Sequence, residues 1–128
     1  MAKVKKQRPI NLDIKTIHFP ITAIFSILHR ITGVINVFTF GFLMLLLDKS
    51  LSSPESFIKI SVFMSNFFVK GVLWSLLTAL IYHAIGGIRH MLMDFGYLEE
   101  TLLMGKISAN IVFIVTFIFS IIVGIIIW

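Results

Sequence analysis

Residues 107–128 read ISANIVFIVTFIFSIIVGIIIW, 22 residues without a charge. At about 1.5 Å per residue, a helix of that length crosses a bilayer core of roughly 30 Å. Backbone polar groups in hydrocarbon must pair within their own segment, so the stretch reads as a membrane helix. Two further segments have the same character. One runs from about Ile21 to Leu47, uncharged from Ile31 onward. The other runs from about Val62 to Met93, uncharged from Gly71 to Ile88. The sequence therefore predicts an all-α membrane protein with three transmembrane helices. Residues 1–128 form one transmembrane domain, with a basic segment over 1–20 and spans at about 21–47, 62–93 and 107–128.

Composition excludes the alternatives. Hydrophobic residues make up 58% of the chain and charged residues only 13%, too few to cover a soluble domain of this length. The absence of cysteine removes disulfides, thiolate zinc sites and ligands for an iron–sulfur cluster. Four histidines remain: His18, His29, His83 and His90. If the chain handles electrons, it does so through histidine-held haem or a bound quinone.

The net charge of +5 gathers at the amino end, in Lys3, Lys5, Lys6, Arg8 and Lys15. Beside so much apolar sequence, this run orients a membrane protein and does not point to nucleic acid. Residues 1–19 hold five basic side chains against Asp13. The loop from Asp48 to Lys59 has two charges of each sign and a helix breaker at Pro54. The positive-inside rule puts the amino terminus and the loop from about Asp94 to Lys106 in the cytoplasm. The first loop and the carboxyl end lie outside, with Lys70 snorkelling near the outer surface. No small-residue cleavage pattern follows the first apolar segment, so it is not read as a signal peptide.

Ionisable groups within membrane helices are costly, and they mark candidate sites. Ser26, His29 and Arg30 stand at i, i+3 and i+4, on one helix face. Together they suit an anion or a carbonyl oxygen. In the second span His83, Gly86, Gly87 and His90 again share one face. The glycines either allow close helix packing or open a flat slot beside His83 for a planar macrocycle, and the pattern alone supports both equally. His29 is nine residues past Pro20 and His83 eleven before Asp94, depths of roughly 13 and 16 Å. One site can use both clusters. His18 reads as a solvated interfacial residue and His90 as a surface or propionate-level one. There is no Ser/His/Asp arrangement, phosphate loop or paired carboxylates.

Arg8-Pro9-Ile10, followed by Ser26-Ile27-Leu28-His29-Arg30-Ile31-Thr32, closely resembles the first signature of the cytochrome b556 anchor subunits of succinate dehydrogenase. His83-Ala84-Ile85-Gly86-Gly87-Ile88-Arg89-His90-Met91-Leu92-Met93-Asp94 resembles the second. The likeness continues through Phe95 to Glu100, covers nearly the whole chain, and is strongest to the enterobacterial type. It implies a subunit that anchors a succinate:quinone oxidoreductase and contributes to quinone reduction without itself oxidising succinate.

By the same resemblance His83 is an axial ligand of haem b, shared with a second hydrophobic anchor subunit that supplies the other ligand. Ser26 and Arg30 hold ubiquinone, with Ile27, Phe19 and Ile14 lining the pocket, while His29 and Arg30 lie near the haem propionates. FAD and iron–sulfur clusters belong to the flavoprotein and iron–sulfur partner subunits on the cytoplasmic face. The expected location is a bacterial inner membrane. A fumarate reductase anchor and a cofactor-free membrane scaffold are the alternatives.

Overall fold

A computed structural model describes residues 12–128. Lys3, Lys5, Lys6 and the Arg8-Pro9-Ile10 part of the first signature lie outside the described residues. The described chain forms α1 (Ile21–Ser52), α2 (Pro54–Met64), α3 (Phe67–Asp94) and α4 (Leu102–Ile127). Three of these, α1, α3 and α4, are long and apolar enough to cross a membrane, as expected.

Local chemistry sets the boundaries. Pro54 forces the residue before it out of the helical region, and Ser53 is extended at φ −164° and ψ 157°. The same proline opens α2, where its missing N–H costs nothing, and the Ser53 hydroxyl accepts the Ser56 N–H at 3.1 Å. Thus the loop expected over 48–59 is instead the end of α1 and most of a short helix. The second span begins at Phe67 and not at Val62, because α2 stops at Met64 and the Asn66 side chain caps the next helix by accepting the Phe68 N–H. At its far end Gly96 has φ +78°, and Tyr97 N–H reaches back to the Leu92 carbonyl at 2.9 Å. That is a Schellman closure, which needs the left-handed residue. The last helix starts five residues earlier than expected, since Thr101 accepts the Met104 N–H and caps it.

The bundle is inverted relative to a soluble protein. Large apolar side chains such as Val37, Phe38, Phe117 and Ile125 face outward, while Asn36, Thr39, Ser108, Thr116 and Ser120 are buried. Between helices in lipid, close approach of small residues and polar bonds replaces the hydrophobic drive. Of the three spans, α3 packs against both of the others, and α1 meets α4 over a smaller contact. Trp74 donates to the Ser120 carbonyl at 2.8 Å, and the Thr78 and Ser120 hydroxyls bond at 2.8 Å, joining α3 to α4. Toward the other end of the bundle, Phe25 of α1, Tyr82 of α3 and Phe113 of α4 form an aromatic cluster with centroids 5.6–6.3 Å apart. The Tyr82 hydroxyl donates to the Phe25 carbonyl at 2.9 Å.

Candidate functional site

Two linked features occupy this end of the bundle. The first is a histidine pair across α1 and α3. The His29 and His83 rings stack with centroids 4.1 Å apart and planes at 11°. His29 Nε2 lies 3.1 Å from the His83 carbonyl, and His83 Nδ1 lies 3.0 Å from the His29 carbonyl. Carbonyl oxygens only accept, so both ring nitrogens carry the proton and donate. His83 is thereby held with its proton on Nδ1. Its Nε2 has no hydrogen-bond partner among the described residues. His29 spends Nε2 on α3 and keeps Nδ1.

Glycines make this pairing possible. A Cβ at Gly86 would lie 2.7 Å from His29 Cδ2 and 3.0 Å from Phe25 Cζ. A Cβ at Gly33 would lie 3.0 Å from His83 Cε1. The space left by Gly86 is therefore filled by the His29 and Phe25 rings. Of the two readings left open for the glycines, close packing describes Gly86, and the slot expected there for a macrocycle is taken by protein.

The second feature is a cavity of about 530 Å³ between α1, α3 and the start of α4. From α1 it is lined by Thr22, Phe25, Ser26, His29 and Arg30. From α3 come Arg89, His90 and Met93, and the segment from Glu100 to Leu102 with Gly105 closes it. Ser26, His29 and Arg30 thus share one cavity, as their spacing suggests. Among the described residues neither the Ser26 hydroxyl nor the Arg30 guanidinium has a hydrogen-bond partner. Both remain available to a ligand. Ile14, Phe19 and Ile27 do not line the cavity and are exposed. His18 is exposed ahead of α1, and His90 sits at the cavity edge 3.9 Å from Asp94.

Arg89 has a role that its place in the second signature did not reveal. Its Nε donates to the Ser108 hydroxyl at 2.8 Å and Nη2 to the Gly105 carbonyl at 3.3 Å. Its guanidinium carbon lies 4.4 Å from the centroid of Phe25, so one side chain ties all three spans together at the cavity wall. The available signal was spacing: Tyr82 and Arg89 are seven residues apart, two turns along one face.

The sequence profile of the succinate dehydrogenase/fumarate reductase transmembrane subunit family matches residues 4–123. The chain belongs to that family. Curated relatives include the succinate dehydrogenase cytochrome b556 subunit of Coxiella burnetii, 39% identical over 123 residues, which cover 95% of this chain and 98% of that one. The cytochrome b560 subunit of Reclinomonas americana is 34% identical over 87% of this chain and 83% of its own length. The Paracoccus denitrificans cytochrome b556 subunit is 30% identical over 76% and 75% respectively. Membership of this transmembrane-subunit family agrees with three membrane-crossing helices and with both signatures read from the sequence.

Proposed function

We propose that this chain is the membrane anchor of a succinate dehydrogenase, holding haem b jointly with a second hydrophobic subunit and forming part of a ubiquinone-reduction site. One observation carries the reading: Ser26 and Arg30, whose donors are unpaired among the described residues, open into the same cavity as His29, whose ring stacks on His83. A cofactor-free scaffold has no use for such donors inside a membrane bundle. The names of the three relatives favour succinate oxidation over fumarate reduction.

The donor chemistry of His83 fits a haem iron, while the gap at Gly86, filled by protein, is not the place of the macrocycle. Metal-bound histidine usually donates its second ring N–H to a carbonyl or carboxylate, and His83 does so through Nδ1, which leaves Nε2 to bind iron. The second ligand would come from the partner anchor. When bound, the haem supplies a one-electron couple whose potential follows its axial ligands and burial. Arg30 neutralises propionate charge or draws electron density from a quinone oxygen, and Ser26 donates a hydrogen bond to a quinone carbonyl. His29 would hold a propionate through Nδ1 only as the doubly protonated ring, since its Nε2–H is committed to α3. The exposed apolar side chains of Ile14, Phe19 and Ile27 form the quinone-pocket wall that a neighbouring subunit completes.

The flavoprotein and iron–sulfur subunits dock at the cavity end, and the basic run over residues 3–15 supports a cytoplasmic side for it, in a bacterial inner membrane. The carboxyl end is then periplasmic. With no cysteine in this chain to ligate a cluster, the iron–sulfur clusters would reside on the iron–sulfur partner, and FAD on the flavoprotein. A reduced-minus-oxidised spectrum of the complex purified through a tag on this chain tests the reading. A sharp low-spin b-type signal that responds to succinate is expected. Co-purifying partners without that signal would remove the haem from the proposal.

A further inference from the structure

We infer that Thr32 is a positioning residue for the His83 imidazole, fixing the ring through its hydroxyl so that Nε2 is the nitrogen presented to iron. The inference rests on the reading of His83 as haem ligand. Three distances carry it. The Thr32 hydroxyl donates to the His29 carbonyl at 3.0 Å, His83 Nδ1–H donates to the same carbonyl at 3.0 Å, and the Thr32 oxygen lies 3.3 Å from His83 Nδ1. The hydroxyl spends its proton on the carbonyl and turns a lone pair toward the imidazole. His83 Nδ1–H therefore faces two acceptors held in register by one turn of α1.

The next residue explains how the ring comes so close. At Gly33 a Cβ would lie 3.0 Å from His83 Cε1, so the imidazole rests directly against the α1 backbone. Residues 32 and 33 thus provide a hydroxyl and a gap side by side. The His29 ring covers one face of His83. With the ring held at its Nδ1 edge and on that face, rotation about its side-chain bonds is restricted. Acceptors on Nδ1–H also make Nε2 a stronger electron donor, a lever on the metal that a purely packing threonine lacks.

The test compares Thr32→Val, Thr32→Ser and His83→Leu in the assembled complex, reading haem reduction potential, the low-spin electron paramagnetic resonance signal and haem transfer to apomyoglobin. Thr32→Val keeps the shape and removes the hydroxyl. It should raise the potential, broaden the low-spin signal and release haem about tenfold faster. Thr32→Ser should behave as wild type. If Thr32→Val matches wild type while His83→Leu abolishes the low-spin signal, the Thr32 inference falls and the ligand reading stands. Equal shifts in the Val and Ser variants would also overturn it, since packing and not the hydroxyl would then be responsible. An unchanged haem in His83→Leu takes both readings down. Should Thr32→Val fail to assemble, Thr32→Ala carries the same expectation.

Discussion

His29 and His83 each donate a ring N–H to the backbone carbonyl of the other, at 3.1 and 3.0 Å, with their rings stacked between α1 and α3. In a helix those carbonyls already accept the N–H four residues on, which here belongs to Gly33 and Gly87. At Gly33 the missing side chain lets the His83 ring come close to the His29 carbonyl, since a Cβ there would lie 3.0 Å from His83 Cε1. Two helices are joined through the residues that also set the tautomer of the proposed ligand.

Gly86→Ala should disrupt this pairing. The added methyl meets His29 Cδ2 at 2.7 Å and Phe25 at 3.0 Å, an overpacking that costs about 1–3 kcal/mol. Gly41 has nothing within 4 Å of an added Cβ, so Gly41→Ala is its control. Thermal unfolding of the purified complex should fall for the first and hold for the second. Equal melting of the two variants would count against the packing role.

Ser26→Ala and Arg30→Leu should impair quinone reduction while succinate oxidation by an artificial dye continues. Losing a charged donor is worth about 1.5–3 kcal/mol, roughly 10–150-fold in kcat/KM for the Arg30 variant, and loss of a neutral hydroxyl bond is smaller. Paired assays on one preparation decide the matter. A parallel fall in both activities would place the defect in assembly.

His83→Leu should remove the low-spin b-type signal or shift its potential. Subunit retention, followed by gel filtration, separates ligand loss from a failure to assemble. An unaltered spectrum in an intact complex rules His83 out as ligand.

Arg89→Lys should retain charge and lose function. A lysine cannot bond Ser108 and the Gly105 carbonyl while lying flat over Phe25, so the α4 side of the cavity loosens. The expected readout is a higher KM for quinone and a lower melting temperature, with the haem spectrum kept. If KM and melting temperature both match wild type, Arg89 serves only as a surface charge.

The candidate site was partly legible in the sequence. The i, i+3, i+4 spacing of Ser26, His29 and Arg30 put them on one face because helical period is a local property, and they share one cavity. Arg89 stands in the sequence only as a member of the second signature, because its partners Ser108 and Gly105 lie on another helix, which spacing within α3 does not identify. The two glycines of the second span could not be assigned from spacing, since only the facing ring decides whether a gap is empty or filled. Helix boundaries slipped for a related reason. Hydropathy marks what fits in lipid, whereas Ser53, Asn66 and Thr101 mark where backbone donors are capped.

The sequence by itself determined that the chain crosses a membrane three times, because a long uncharged run has one low-energy environment and one backbone form within it. It also determined which side chains share a helix face. Only the tertiary structure decided which face meets which: that His29 fills the space at Gly86, that His83 Nδ1 is spent on α1, and that Arg89 belongs to the cavity wall. Those outcomes depend on helix rotation and approach. Both are set by packing among small residues and polar bonds between segments far apart in the chain, which no single segment encodes.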